Sequence, residues 1–135
     1  MAPGHVDDVA NRVAVSSSVA DAVKDACLIV EAITDDEEAK RNLYAEVVKY
    51  CRTDAVLATT SINLDLDSVQ ALVDVQWRRR LIKLRFLAPV LGVSFAEVSH
   101  AQHAQNAEVK EVNSIRCYPW LICMVFEFVG LHAGL

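Results

Sequence analysis

Glycine and proline are scarce in this sequence, with 4 Gly and 3 Pro among 135 residues. This composition excludes a collagen-like chain and a loop-rich scaffold, and it favours long regular elements. Hydrophobic residues make up 53% of the chain, which excludes a disordered protein and predicts a packed interior. The length is sufficient for one domain with one core.

An excess of positive charge is also absent. The chain has 13 Lys and Arg against 18 Asp and Glu, a formal net charge of −5. Because binding to a nucleic-acid backbone requires an excess of Lys and Arg, this balance argues against nucleic acid as a partner. Residues 1–11 contain neither the apolar run of a secretory signal nor an arginine-rich transit pattern, so we expect a cytoplasmic protein.

Cysteine is too sparse and too scattered for a disulfide framework. The four cysteines are Cys27, Cys51, Cys117 and Cys123, and no two of them form a Cys-x-x-Cys pair. We therefore expect reduced thiols in a reducing compartment and no metal site.

Short β-branched runs alternate with helical patterns, which is typical of βαβ units and predicts an α/β fold with a mostly parallel sheet. We predict strands at residues 12–15, 27–33, 55–60, 81–87 and 95–98. The second of these runs is apolar except for Glu31, as expected of a strand covered on both faces.

Cap residues mark the predicted helix starts. Ser18 with Asp21 predicts a first helix to about residue 26, and Thr34 with Glu37 forms a capping box for the second. That second helix is expected to end near Tyr50. Its apolar face is predicted at Ala39, Leu43, Tyr44, Val47 and Val48, with Lys40, Arg41, Glu46 and Lys49 elsewhere. Asp67 with Gln70 predicts a third helix start.

The last segment, residues 117–135, is apolar and aromatic. Glu127 near its middle and Pro119 near its start argue against a membrane span, because a carboxylate at mid-bilayer is costly. We expect either a helix or strand that covers the sheet, or an exposed patch that pairs with a partner.

Three segments, in order and at matching spacing, resemble one known family. Residues 30–40 (VEAITD…K) are similar to the pattern V-E-A-x-x-E…K, and residues 58–64 (ATTSINL) to A-S-N-T-S-S-L. Residues 84–98 (LRFLAP…FAEV) resemble L-H-F-F-N-P…L-V-E-V. These are the patterns of the second half of the NAD-binding domain of 3-hydroxyacyl-CoA dehydrogenases, and the resemblance covers about residues 12–98.

The resemblance implies an incomplete Rossmann-like domain at residues 12–99, between an N-terminal extension at 1–11 and a helix with an apolar tail at 100–135. It implies NAD as cofactor, a CoA thioester as substrate, and a role in fatty-acid metabolism. The positions equivalent to the family's catalytic histidine and glutamate are Arg85 and Glu97. Those equivalent to cofactor-binding residues are Ala32, Asp35, Lys40, Thr60 and Ile62.

The departures from the family fall on the chemistry. Arg85 replaces the histidine, and a guanidinium that stays protonated cannot act as a general base. Ile62 replaces a serine that hydrogen-bonds the substrate oxygen, and Ala88 replaces an asparagine. The sequence thus predicts a non-catalytic relative that acts by binding or assembly. The alternatives are an active enzyme completed by another chain and an interaction protein that acts through its apolar tail.

The family's opening strand and G-x-G-x-x-G loop have no counterpart in this sequence, and neither does its helical second domain. Such a sheet would expose an edge. We expect residues 118–131, a protein partner or a second copy of the chain to cover it. Arg85 is predicted to pair with Glu97, or else to bind an anion such as a CoA phosphate together with Lys83 and residues 78–80.

Overall fold

A computed structural model describes residues 11, 13–86, 96–99 and 122–125. The strands are β1 (Leu28–Glu31), β2 (Val56–Thr59), β3 (Leu81–Phe86), β4 (Ala96–Ser99) and β5 (Ile122–Val125). The helices are α1 (Val19–Val23), α2 (Glu37–Tyr50), α3 (Leu66–Gln70) and α4 (Val75–Arg78). The strands form one sheet in the order β4-β3-β2-β1-β5. Only β4 runs antiparallel to its neighbour, which confirms the predicted α/β class with a mostly parallel sheet.

Successive side chains along each strand point to opposite sides of the sheet. On one side, Ile29 of β1 and Leu57 of β2 pack against Tyr44 and Val47 of α2 and against Trp77 of α4. On the other side, a second buried cluster consists of Leu28, Val30, Val56, Ala58, Ile82 and Leu84. Burial of apolar side chains on both sides explains why β1 and β2 are nearly uninterrupted apolar runs in the sequence.

The caps follow the prediction at α1 and depart from it at α2. The Ser18 hydroxyl accepts a hydrogen bond from the Asp21 amide at 3.2 Å, as predicted, although α1 ends at Val23. The N-cap of α2 is Asp36, whose carboxylate accepts from the Ala39 amide at 2.7 Å. Thr34 is not the cap, because its carbonyl accepts from the Asp36 amide at 2.8 Å in a tight turn that precedes the helix.

The starts of α2 and α3 are each set by an aspartate. α3 begins at Leu66, one residue before Asp67, with Asp65 accepting from the Ser68 amide at 2.7 Å. A carboxylate at the N-cap also interacts favourably with the positive end of the helix dipole. These caps fix where the turns after β1 and β2 end.

The prediction of a strand at residues 12–15 is wrong over residues 13–15, the part of it that the structure describes. Val13 and Val15 belong to no strand there, and both side chains are exposed. The physical reason is that both edges of β1 are already taken, by β2 on one side and by β5 on the other.

β5 belongs to the apolar tail and pairs in parallel with β1, from Leu28 opposite Ile122 to Glu31 opposite Val125. The prediction that the tail covers this edge is therefore confirmed over Ile122–Val125. The rest of the tail, residues 117–121 and 126–135, and the polar segment at 101–114 lie outside the described residues. Ala88 lies outside them as well.

Candidate functional site

The carboxyl ends of β1 and β2 lie side by side, because the two strands are parallel and in register from Leu28 opposite Val56 to Glu31 opposite Thr59. Two turns leave the sheet there: turn 32–36 leads from β1 into α2, and turn 60–65 leads from β2 into α3. We call this region, with the two turns, the carboxyl edge. In doubly wound α/β folds, ligands bind at this edge of the sheet.

The Glu31 side chain ends β1 and is almost fully buried, with both carboxylate oxygens occupied. Oε1 accepts from the Lys40 ammonium at 2.5 Å and from the Ile33 amide at 2.9 Å. Oε2 accepts from the Thr59 hydroxyl at 2.9 Å and from the Tyr44 hydroxyl at 3.2 Å. A buried carboxylate is tolerated when an opposite charge and hydrogen-bond donors surround it, as they do here.

Lys40 is the charged partner and is itself buried, with a side-chain exposure of 0%. This corrects the sequence prediction that placed Lys40 off the buried face of α2. Its ammonium also lies 3.5 Å from the Ile33 carbonyl oxygen and 3.5 Å from Oδ1 of Asp35. Burial and the charge of Glu31 raise the pKa of the Tyr44 hydroxyl, so Tyr44 remains a proton donor in this cluster.

Asp35 joins the two turns of the carboxyl edge. Its Oδ2 accepts from the Asn63 amide at 3.2 Å, while Oδ1 faces Lys40. Partial burial acts to raise the pKa of Asp35. The hydrogen bonds from Ser61 and Asn63 and the charge of Lys40 outweigh that effect and hold the pKa below its ordinary value. Asp35 is therefore a carboxylate at neutral pH, with its side chain 21% exposed.

Thr60 connects turn 60–65 to the end of β1. Its amide and its hydroxyl both donate to the main-chain carbonyl oxygen of Glu31, at 3.0 and 3.1 Å. The Lys83 ammonium donates to the Leu64 carbonyl at 3.1 Å and so links β3 to the same turn. The two turns are thus held by side chains from three neighbouring strands, namely Glu31 of β1, Thr59 of β2 and Lys83 of β3.

Arg85 and Glu97 lie directly opposite each other on the antiparallel strands β3 and β4. Their charged groups are 3.8 Å apart, so the expected ion pair is present. The side chains are 64% and 58% exposed, and such a pair in water contributes little to stability. The catalytic role of these two positions stays a prediction.

The alternative anion cluster does not assemble. Arg85 lies near the end of β3, whereas residues 78–80 precede its start, roughly 16 Å away along an extended strand. At that opposite end, the Arg78 guanidinium donates to the Val73 carbonyl, and the Arg80 guanidinium donates to the Asp54 carbonyl at 3.0 Å. These arginines and Arg85 cannot contact one small anion together.

The five positions equivalent to cofactor-binding residues all lie at the carboxyl edge, but they differ in exposure. Ala32 and Thr60 are half-buried, Asp35 is partly exposed and Ile62 is 78% exposed. Lys40 is closed off from solvent by its contacts with Glu31 and the first turn. Four of the five positions are thus at least partly exposed and Lys40 is buried, and the cofactor-binding role of all five stays a prediction.

Sequence reasoning missed the cluster of Glu31, Tyr44 and Thr59. The available signal was Glu31 itself, since a carboxylate inside a strand covered on both faces requires partners. A second signal was the spacing of Lys40, Tyr44 and Val47, which places Lys40 on the buried stripe of α2. Because lysine is a charged residue, Lys40 was assigned to the exposed face of α2 in spite of this spacing.

Two kinds of site are absent from the part of the chain that the structure describes. No group of three or more His, Cys, Asp or Glu side chains there could hold a metal ion. None of the helices described there is long and apolar enough to cross a membrane.

The fold and the carboxyl edge are those of a Rossmann-like α/β domain. The family profile described as "3-hydroxyacyl-CoA dehydrogenase, NAD binding domain" matches residues 1–116. The chain therefore belongs to the 3-hydroxyacyl-CoA dehydrogenase family, in the part that forms its NAD-binding domain.

Relatives agree with this assignment. Two probable 3-hydroxyacyl-CoA dehydrogenases of Caenorhabditis elegans are 32% and 31% identical over 93 and 88 residues, which is 69% and 65% of this chain. This chain spans 29% of the length of each of them.

Solved structures show the same fold. The dehydrogenase part of multifunctional enzyme 1 from C. elegans superposes with a TM-score of 0.75 at 17% identity, over 93% of this chain and 29% of that one. The (S)-3-hydroxybutyryl-CoA dehydrogenase of Ralstonia eutropha superposes with a TM-score of 0.71 at 15% identity, over 94% of this chain and 44% of that one.

Proposed function

We propose that this chain is a non-catalytic member of its family that acts by binding at the carboxyl edge. The observation that carries the proposal is Arg85, which occupies the position of the family's catalytic base and pairs with Glu97 on the neighbouring strand. A guanidinium remains protonated throughout the physiological range, so it cannot accept a proton from a hydroxyl group. No transfer of that proton can begin at this position.

The position that the resemblance assigns to substrate binding has also lost a polar side chain. Ile62 stands where the resemblance places a serine that donates to the substrate oxygen, and its side chain is 78% exposed. An alkyl side chain offers no hydrogen bond to an oxygen, and stabilisation of developing charge depends on such donors. Both the proton acceptor and this donor are therefore missing from their positions.

The nucleotide side of the edge is better preserved. NAD, when bound to a dehydrogenase, accepts or delivers a hydride. The ionised Asp35 offers an acceptor for a ribose hydroxyl, and Thr60 and Ala32 border the same surface. We propose that this surface binds the nicotinamide end of the nucleotide.

The test is a fluorescence titration with NADH of the wild-type chain and two variants. Asp35→Ala removes the exposed acceptor, and Glu46→Ala, an exposed residue of α2, serves as the matched control. We expect saturable binding that weakens about tenfold or more in Asp35→Ala and stays unchanged in Glu46→Ala, since a hydrogen bond to a charged group contributes about 1.5–3 kcal/mol. Equal affinity in the wild type and Asp35→Ala, or no binding in either, would overturn the nucleotide-binding proposal.

A second role, assembly, is favoured by β5. This strand pairs with β1 on one side, and no strand of the described part of the chain pairs with its other side. An unpaired strand edge offers main-chain donors and acceptors to another strand, so we propose a second copy of the chain as the partner. Sedimentation equilibrium should then show a dimer whose population grows with concentration, whereas a monomer at all concentrations would refute this role.

A further inference from the structure

We propose that Lys40 is a positioning residue for the carboxyl edge, which sets the direction of the Asp35 carboxylate. The inference rests on the proposed nucleotide binding for its functional meaning. It adds to the role that the family resemblance implies, in which the residue at this position contacts the cofactor. The contacts run from Glu31 through Lys40 and Asp35 to Asn63.

The first link fixes the ammonium group of Lys40 to the sheet. Glu31 accepts from Lys40, and its other oxygen accepts from Thr59 of β2 and Tyr44 of α2. The carboxylate that holds Lys40 is thus anchored to two strands and a helix. Lys40 and Glu31 have side-chain exposures of 0% and 2%, so solvent does not compete for either charge.

The second link passes from Lys40 to the first turn. The ammonium has three contacts, and two of them, the Ile33 carbonyl and Oδ1 of Asp35, belong to turn 32–36. Together with Glu31, these contacts hold the ammonium between the sheet and the first turn.

The third link joins the two turns. The oxygens of Asp35 are divided: Oδ1 faces Lys40, and Oδ2 accepts from the Asn63 amide in turn 60–65. Ser61 of the same turn also forms a hydrogen bond with this carboxylate. Holding one oxygen sets the plane of the carboxylate and therefore the direction of the other. If Lys40 is removed, we expect Asp35 to rotate and the two turns to lose their alignment.

The test uses Lys40→Met, which keeps an unbranched stem of similar length and removes the charge. Lys49→Met is the matched control, because Lys49 lies in the last turn of the same helix and is exposed. Val47→Ala is the control for lost stability, because Val47 is a buried residue of α2 outside the cluster. If Lys40→Met does not fold, Glu31→Gln/Lys40→Met removes both charges and provides the same comparison.

The readouts are the NADH affinity, the pKa of Asp35 by carboxyl NMR and the chemical shift of the Asn63 amide. We expect Lys40→Met to weaken NADH binding about tenfold, to raise the pKa of Asp35 and to move the Asn63 resonance. Lys49→Met and Val47→Ala should leave all three unchanged, since a purely structural loss does not touch Asp35.

The two NMR readouts separate this inference from the proposed function. If the wild type fails to bind NADH but Lys40→Met still shifts the Asp35 pKa and the Asn63 resonance, nucleotide binding is refuted and the positioning role stands. If Lys40→Met leaves Asp35 and Asn63 as they are in Val47→Ala, the positioning role is refuted, whatever the NADH affinity.

Discussion

The two ion pairs of this domain should differ sharply in what they contribute to its stability. Lys40 and Glu31 form a buried pair, whereas Arg85 and Glu97 form an exposed pair. A double-mutant cycle on each pair compares the two pairs, with the same kinds of substitution made in both. The buried cycle uses Lys40→Met and Glu31→Gln, and the exposed cycle uses Arg85→Met and Glu97→Gln.

The magnitudes follow from exposure. Removing one partner of a buried pair leaves an uncompensated buried charge and costs about 3–5 kcal/mol. For Lys40→Met the stranded charge is Glu31, whose exposure is 2% and whose remaining donors are neutral. In the double variant the stranded charge is gone, so much of the loss should be recovered. The exposed pair is screened by water, and its coupling should be about 0.2–1 kcal/mol.

The assay is urea denaturation followed by far-UV circular dichroism, with free energies of unfolding taken from the linear extrapolation. A small domain has a total stability of about 5–15 kcal/mol, so a loss of this size is well within measurement. The account predicts a coupling energy in the buried cycle several times larger than in the exposed cycle. Equal coupling in the two cycles would refute the argument that burial, and not charge pairing alone, sets the strength of the Glu31 cluster.

Three further predictions concern the same region. Asp36→Ala should lower the free energy of unfolding by about 1 kcal/mol by removing the cap of α2, while Thr34→Ala should change it by less than about 0.5 kcal/mol, as measured by urea denaturation. Tyr44→Phe should cost about 1.5–3 kcal/mol in the same assay, because it deletes one donor to a buried carboxylate. The pKa of Asp35 is lowered in the folded state, so its stabilising effect is present above the unfolded pKa of about 3.9 and is lost as pH falls through the folded value. Asp35→Asn should therefore be less stable than the wild type at pH 6, and the difference should shrink as the pH falls below the unfolded pKa; a difference that stays constant with falling pH would contradict this.

The strands were predictable because burial on both faces leaves a plain trace in the sequence. The apolar run around Val30 indicated a strand covered on both faces, and the small and β-branched residues around Leu57 indicated a second strand; the structure has both within a sheet of the expected class. The resemblance to the family's histidine–glutamate pair indicated that Arg85 pairs with Glu97, and the antiparallel register places them opposite each other. What the resemblance could not reveal is that this pair lies in solvent.

The start of α2 was predicted at the wrong residue because two good capping residues compete within one turn. Thr34 and Asp36 both precede the first apolar position, and sequence rules alone favour the box formed with Glu37. Which of the two residues is the N-cap depends on a main-chain hydrogen bond from the Asp36 amide to the Thr34 carbonyl, which places Thr34 in the turn before the helix. Such a bond depends on where β1 ends, and therefore on the sheet.

The buried cluster escaped prediction because its members are far apart in the chain. Glu31 and Thr59 are 28 residues apart and meet only through the register of β1 and β2. Lys40 was grouped with the exposed residues of α2 because its charge was weighed above its place on the helical stripe. In the structure, the buried carboxylate of Glu31 is the partner of the Lys40 ammonium, and this pairing allows Lys40 to lie on the buried face of α2.

The central claim is that a family member with arginine at the position of the catalytic base does not transfer hydride. The most direct measurement mixes acetoacetyl-CoA and NADH with the wild-type chain in molar excess over NADH, and follows NADH absorbance beside a protein-free blank. The account predicts no loss of absorbance beyond the blank. A loss that grows with protein concentration and disappears in Arg85→Ala would contradict it.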